Sequence, residues 1–351
     1  MTEPTKNKLN YISVIRGFAM LFVVVAHSFV PQIRGANPFF YTVFLWICDF
    51  SMPVFMTVSG YLFQYHYEKN IKKPSDFYFA KIRSFAIPYL SMSVLSYVLI
   101  NAAFLIKPLA SVLETAKYYK TGLLESVFQI LTYEGHIVNH LWYLPTILII
   151  ILLSFTTKMF FYKLPGLIIG AALFFVSYYI KMPYVIFKVF SLFIFFCLGR
   201  RLKLIDHISS KKRLIIFLPL FLILSAVQRT GLLVDYYLLE TINLLFIGFT
   251  GSITFFTISK FIVNKKAGSF LKWVGDNSFI IYVLHQPFIV SGVSGILLMF
   301  TRLPHAIISL VTCGTGIVLP YLIYLFIIKK SAVLRILFLG DFSRKGLSAD
   351  S

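Results

Sequence analysis

The sequence is poor in charge and in cysteine. Of its 351 residues only 13% are charged, whereas 58% are hydrophobic, and the mean hydropathy is +0.83. Soluble domains do not have this composition. The longest connection between apolar runs, 107–141, has about 35 residues, so no soluble domain is predicted.

Other absences exclude further classes. The three cysteines, Cys48, Cys197 and Cys313, fall inside apolar runs without paired spacing, so neither a disulfide nor a metal site is predicted. Period-2 alternation is missing, which excludes a transmembrane barrel. The first apolar run is long, contains Arg16 and lacks a small-residue cleavage site, so no cleavable signal peptide is expected.

What remains is a series of apolar runs along the whole chain. In lipid the backbone must satisfy its own hydrogen bonds, so we predict an all-α, polytopic transmembrane helical bundle. About ten spans are predicted, near 10–30, 42–64, 85–106, 142–161, 165–180, 184–200, 213–229, 237–258, 278–299 and 306–328. The alternative for the fifth and sixth spans is one helix broken at Pro183.

The net charge of +20 has an uneven distribution. With the N-terminus inside, the inner segments carry about three times as many Lys and Arg residues as the outer ones, which is the positive-inside pattern. Both termini are therefore predicted to be cytoplasmic. Basic inner loops attract anionic lipid, so the charge indicates a lipid bilayer as partner and no nucleic acid.

Two cations share the first span. Arg16 and His27 are eleven residues apart, almost three helical turns, so both project from one helix face about 16 Å apart. Ionisable groups inside a span are costly and are functional candidates. The alternative is an arginine that reaches the inner surface and a histidine bonded to a neighbouring helix.

The second span contains Asp49, roughly 10–12 Å below the outer surface. Because the first two spans run in opposite directions, Asp49 and His27 are expected at similar depth. A carboxylate bonded to an imidazole fixes its tautomer, as a general base requires. The alternative is an ion pair between Asp49 and an outer cation such as Arg34.

Two further groups of side chains lie near span ends. Lys81 and Arg83 precede the third span at the inner surface, where they either bind phosphate or anchor the helix. His140, Trp142 and Tyr143 precede the fourth span at the outer surface. They form either an aromatic belt or a stacking platform for a sugar ring.

With these motifs the chain resembles the membrane-bound acyltransferase-3 family, which O-acylates extracellular polysaccharides and related surface molecules. The resemblance covers essentially the whole chain. In family order, the matching motifs are Arg16 and His27, Pro53-Val-Phe, Ser59-Gly60-Tyr61, the basic run before Pro88-Tyr89, His140-Leu-Trp142-Tyr143-Leu, Phe196-Cys-Leu-Gly199 and Tyr282-Val-Leu-His285-Gln-Pro287.

The resemblance implies one membrane acyltransferase domain, 1–351, in a bacterial cytoplasmic membrane, with no bound cofactor or metal. Acyl-CoA, most simply acetyl-CoA, is the implied co-substrate, and a sugar hydroxyl of an extracytoplasmic glycan is the implied acceptor. The phosphates would lie near Arg16, Lys81 and Arg83, and the thioester near His27. His27 would act as general base or carry the acyl group.

The basic run before Pro88 differs from the form that this motif usually has in the family. Its members usually have two arginines three residues apart before this proline, whereas this chain has Lys81 and Ser84 there, with Arg83 as the nearest substitute. The departure falls on the positions where the resemblance implies contacts with the acyl donor. A polysaccharide or small-molecule transporter remains the alternative function, because a ten-helix bundle with buried charges also suits a permease.

Overall fold

The computed structural model of the protein describes residues 4–70, 74–115, 117–156, 164–202 and 208–342. All regular structure in these ranges is helical, which confirms the all-α prediction. In chain order the helices are α1 (Pro4–Ser28), α2 (Pro31–Ala36), α3 (Pro38–Asn70), α4 (Pro74–Ala103), α5 (Lys107–Thr115), α6 (Leu123–Thr132), α7 (Tyr143–Thr156), α8 (Leu164–Tyr179), α9 (Tyr184–Arg201), α10 (Ser210–Arg229), α11 (Tyr237–Ile262), α12 (Lys266–Asp276), α13 (Ser278–Leu284), α14 (Val290–Phe300), α15 (His305–Ile323) and α16 (Ala332–Leu339).

Six helical segments among the described residues are long and apolar enough to cross a membrane. They are Asn10–Ser28, Pro38–Tyr65, Ser75–Ala103, Tyr237–Ile262, Ser278–Phe300 and His305–Ile328. With several shorter apolar helices they confirm a helical membrane bundle. The count of ten spans and the cytoplasmic termini stay predictions.

The region around Pro183, for which the sequence allowed either two spans or one broken helix, contains two separate helices. Helix α8 ends at Tyr179, and Pro183 is the residue that precedes the first turn of α9. Proline suits this position because it lacks the backbone N–H that a helix interior needs. Residues 165–200 therefore form two helices, in agreement with the predicted boundaries.

The connection 107–141 contains helices α5 and α6, which the sequence did not predict. Helix α6 buries Ser126 and Gln129, whereas Leu124 and Phe128 are exposed. The polar Ser126 and Gln129 thus face the protein, and the apolar Leu124 and Phe128 face outward. This inverted pattern is the one expected for a helix lying against lipid.

The chain divides into two compact units, and the first comprises residues 1–26, 38–72 and 150–278. Its core contains the rings of Phe50, Phe221 and Phe255, and Phe50 stacks on Phe255 with centroids 5.2 Å apart. Helices α3 and α9 cross closely: a Cβ on Gly60 would lie 2.0 Å from the carbonyl oxygen of Phe196. Only glycine permits this approach, which explains one of the family motifs.

The second unit comprises residues 27–37, 73–149 and 279–351. Helix α16 packs on α4, and α14 packs on α15 and α5. The predicted ninth span is interrupted between α13 and α14 by a kink, where Gln286 has non-helical dihedral angles (φ −122°, ψ 157°). The side chains at this kink are therefore not placed as they would be in a continuous helix.

Candidate active site

Arg16 and His27 both lie on helix α1, as predicted. The run between them contains no proline, and its only glycine, Gly17, lies at a close helix crossing. A Cβ on Gly17 would lie 1.9 Å from the carbonyl oxygen of Leu271, so α12 lies directly against α1. The contact fixes the part of α1 that carries Arg16.

Helix α12 and the residues after it position the Arg16 side chain. The Arg16 Nη2 atom donates to the Ser278 hydroxyl at 2.7 Å. One turn earlier on α1, the Ser13 hydroxyl donates to Asp276 at 2.5 Å, and Lys272 pairs with the same carboxylate at 2.6 Å. The polar sequence before the predicted ninth span therefore orients the Arg16 guanidinium.

Three histidines come together in the second unit. His27 is half-buried, and its ring centroid lies 5.1 Å from that of His285, with the planes inclined by 59°. His140 is 3% exposed, and its burial and the neighbouring His27 lower its pKa to about 3. His140 is therefore neutral at physiological pH. We call His27, His140 and His285 the histidine cluster.

The tautomer of His285 follows from its contacts. Its Nδ1 atom lies 2.7 Å from the carbonyl oxygen of Tyr282 and 3.2 Å from that of Ile281. A carbonyl oxygen can only accept, so Nδ1 carries the hydrogen. The residue is 0% exposed, and its Nε2 atom has no hydrogen-bond partner among the described residues.

His140 also has buried ring nitrogens that no described residue contacts by a hydrogen bond. This is true of both nitrogens of the ring. A neutral imidazole has one donor and one acceptor nitrogen. Buried polar atoms without partners are rare in proteins. The cluster thus offers a substrate at least one buried donor and two buried acceptors.

Tyr143 is tied to the cluster through Tyr282. The Tyr143 backbone N–H donates to the Tyr282 hydroxyl at 3.2 Å, and the two rings meet edge to face at 5.8 Å. The Tyr282 ring in turn contacts that of His285 at 5.9 Å. Trp142 is half-buried and contacts the Tyr143 ring at 6.2 Å. Two of the predicted acceptor residues, Trp142 and Tyr143, therefore lie in one connected aromatic group.

Asp49 forms an ion pair with Arg229 in the first unit. The Asp49 side chain is 11% exposed and that of Arg229 is 19% exposed. The alternative interpretation named a cation as the partner of Asp49, but the cation in the structure is Arg229 instead of Arg34. Asp49 and His27 belong to different units, so their pairing stays a prediction.

Lys81 and Arg83 lie on helix α4 in the second unit. Lys81 is half-buried, with Nζ 5.6 Å from the centre of the Phe77 ring, whereas Arg83 is exposed and lies 5.1 Å from the Phe342 ring. Residues two apart on a helix point about 200° from each other. The two side chains therefore leave the helix in nearly opposite directions, and their binding of phosphate stays a prediction.

The sequence did not identify two residues of these sites, His285 and Ser278. His285 lies in one of the motifs that carry the resemblance, but the sequence alone gives it no individual role. No group of three or more His, Cys, Asp or Glu side chains in the described ranges is arranged to hold a metal ion.

Comparison with protein families gives one match. The acyltransferase-3 model, described as an acyltransferase domain, matches residues 9–328. This range contains every residue of the histidine cluster and every predicted donor residue. Comparison with curated proteins and with solved structures found no match.

Proposed function

The chain belongs to the membrane-bound acyltransferase-3 family, and from this membership we propose that it moves an acyl group, acetyl in the simplest case, from acyl-CoA to a sugar hydroxyl of an extracytoplasmic glycan. The observation that supports the reaction most is the histidine cluster. It brings a half-buried imidazole, His27, against a second imidazole whose acceptor nitrogen has no partner among the described residues. Imidazole is the side chain best suited to proton transfer and acyl transfer near neutral pH.

His27 is the proposed reacting group. It acts on the acceptor hydroxyl as a general base or takes the acyl group onto its ring. Its position in the last turn of α1, on the helix that also carries Arg16, supports this role. The spacing of about 16 Å along the helix suits an extended thioester arm between a phosphate contact and the reacting carbonyl.

Arg16 is the proposed principal contact of the acyl donor. Ser278 orients its guanidinium, and a fixed guanidinium is suited to phosphate because its planar N–H groups bind two oxygens at once. Lys81 and Arg83 are the proposed further contacts with the phosphates. Since their side chains diverge, we assign the half-buried Lys81 to the donor before the exposed Arg83.

Asp49 remains the proposed orienting carboxylate of His27. Its observed ion pair with Arg229 supports a structural role equally, because a buried carboxylate needs a counter-charge in lipid. The two roles predict different effects of substitution. Loss of an orienting carboxylate lowers turnover, whereas loss of either partner of a structural ion pair, Asp49 or Arg229, lowers the stability of the fold to the same extent.

His140, Trp142 and Tyr143 are the proposed acceptor-binding residues. The half-buried Trp142 offers a surface on which a sugar ring packs, and His140 offers buried hydrogen-bonding nitrogens to hydroxyls. Tyr143 is 7% exposed and packs on Tyr282, which supports a role in holding this group in place.

The experiment that tests the proposal uses purified protein in liposomes, with acetyl-CoA and a panel of bacterial surface glycans. Thiol release and acetylated glycan are measured together. We expect both, in equal amounts, from the wild-type protein and from the control variant His305→Asn. Movement of glycan across the membrane without thiol release would contradict the proposal and favour a transporter.

A further inference from the structure

His285 has the hydrogen-bonding arrangement of a general base. In a serine-protease-type base, the Nδ1–H is held by an acceptor, which leaves the Nε2 lone pair directed at the reacting hydroxyl. In His285 the carbonyl oxygens of Tyr282 and Ile281 hold Nδ1–H, and Nε2 is left as the acceptor. The backbone fixes this tautomer, because those two oxygens cannot donate.

The Nε2 atom of His285 is a buried hydrogen-bond acceptor, so the group it binds must be a donor. The ring is 0% exposed, and Nε2 has no partner among the described residues. A buried acceptor without a partner is destabilising, and a group that donates a hydrogen relieves it. The His27 ring lies close to it, with centroids 5.1 Å apart, but no hydrogen bond joins the two rings. A hydroxyl of a substrate supplies the missing donor.

Resting on the proposed function, we propose that the two histidines divide the reaction: His27 carries the acyl group, and the Nε2 atom of His285 takes the proton of the acceptor hydroxyl. The half-buried His27 lies on the helix of the donor contact Arg16. His285 lies beside the kink at Gln286, and it contacts Tyr282, which in turn contacts the acceptor residue Tyr143. Each histidine thus lies beside the substrate on which it acts.

The atoms balance in two steps. First, a nitrogen of His27 attacks the thioester carbonyl carbon, so that a C–N bond forms and the C–S bond breaks. The leaving thiolate takes the proton that the His27 ring loses, which gives a neutral acyl-imidazole and free thiol. Next, the acceptor oxygen attacks the same carbon, the O–C bond forms, the C–N bond breaks, and the hydroxyl proton passes to His285. That proton then returns to His27, and both rings are neutral again.

The test separates the two steps. Protein in liposomes receives acetyl-CoA labelled in the acetyl group, first without and then with the glycan acceptor. The wild-type protein should release about one thiol per active site in a burst without acceptor, and acid-quenched peptides should carry the label on His27. Label on His285, or no burst, would overturn the division.

The informative variant is His285→Asn, because asparagine retains an N–H donor for the Tyr282 carbonyl oxygen but has no base. It should keep the thiol burst and lose transfer to the glycan by roughly a hundredfold or more. His27→Ala should lose both, and the control His305→Asn should lose neither. Retention of more than a tenth of the transfer rate in His285→Asn would contradict the proposal.

The outcomes also separate this proposal from the proposed function. If His27→Ala is inactive and His285→Asn is active, the division of roles fails while the acyltransferase proposal stands. If both variants are active, the histidine cluster is not the active site. If His285→Asn does not give a folded, monodisperse protein, His285→Gln takes its place, because glutamine also has an N–H donor and no basic nitrogen. It should keep the thiol burst and lose transfer, and a transfer rate above a tenth of wild type would contradict the proposal.

Discussion

The contact between Arg16 and Ser278 gives a graded test of donor binding. In the structure the guanidinium donates to the Ser278 hydroxyl at 2.7 Å, on a part-buried section of α1. A hydrogen bond to a charged group contributes about 1.5–3 kcal/mol, and about 1.4 kcal/mol corresponds to a tenfold change in affinity. Arg16→Ala should therefore weaken donor binding by about ten- to hundredfold.

The smaller changes around Arg16 should have smaller effects. Ser278→Ala leaves the charge in place but removes one orienting bond of about 1 kcal/mol, so binding should weaken about fivefold. Ser278→Thr retains a hydroxyl and should behave as wild type. Arg16→Lys should restore only part of the loss, because an ammonium cannot reproduce the planar contact of the guanidinium.

Both equilibrium binding and kinetics should follow this order. The dissociation constant of CoA, measured by calorimetry in detergent, should increase from wild type through Ser278→Ala to Arg16→Ala. The donor KM should increase in the same order, whereas kcat should change little, since the contact exists before the chemical step. Unchanged CoA affinity in Arg16→Ala, with a lowered melting temperature, would refute the reasoning and assign Arg16 to packing.

Three further predictions concern burial, pairing and topology. The buried His140 has a pKa lowered to about 3, so only the unfolded state takes up a proton on this residue as the pH falls below about 6.5. The free energy of unfolding should therefore fall by up to about 1.4 kcal/mol per pH unit. His140→Leu should raise the melting temperature at pH 5 and reduce activity, and a melting temperature with the same pH dependence as wild type would contradict this. Asp49→Asn should lower kcat with little change in donor KM and should add nothing to His27→Ala, whereas equal losses of stability and activity in Asp49→Asn and Arg229→Gln would assign Asp49 to structure alone. In a chain without native cysteines, a cysteine at the exposed Lys120 should react with an impermeant reagent on intact cells and one at the exposed Ser209 should not; the reverse pattern would invert the predicted topology.

The parts of the fold that depend on local pattern were predictable. The first span is one uninterrupted apolar run, which predicts a single helix, so the placement of Arg16 and His27 on that helix followed from their spacing. The amphipathic helices α5 and α6 were missed because the outward-facing apolar side chains of α6 match a lipid surface rather than a protein core. A pattern of hydrophobicity does not distinguish these two environments over a single short helix.

The contacts of the site were less predictable because they join distant segments. From the sequence, an ion pair of Asp49 was the alternative to its pairing with His27, but several cations suited that ion pair, and only the packing of α10 on α3 selects Arg229. The role we propose for His285 depends on two backbone carbonyl oxygens and on the kink at Gln286. Neither follows from a spacing rule, so the sequence alone gives His285 no role beyond its place in a motif.

The central claim is that His27 performs acyl transfer, and its most direct test is one comparison in liposomes. Wild-type protein and His27→Ala, matched for insertion and for gel-filtration profile, receive acetyl-CoA and a glycan acceptor, and acetylated glycan is measured by mass spectrometry. The account predicts that the wild-type protein acetylates the glycan and that the variant has less than about a tenth of its turnover. Turnover in His27→Ala above that level would contradict the account.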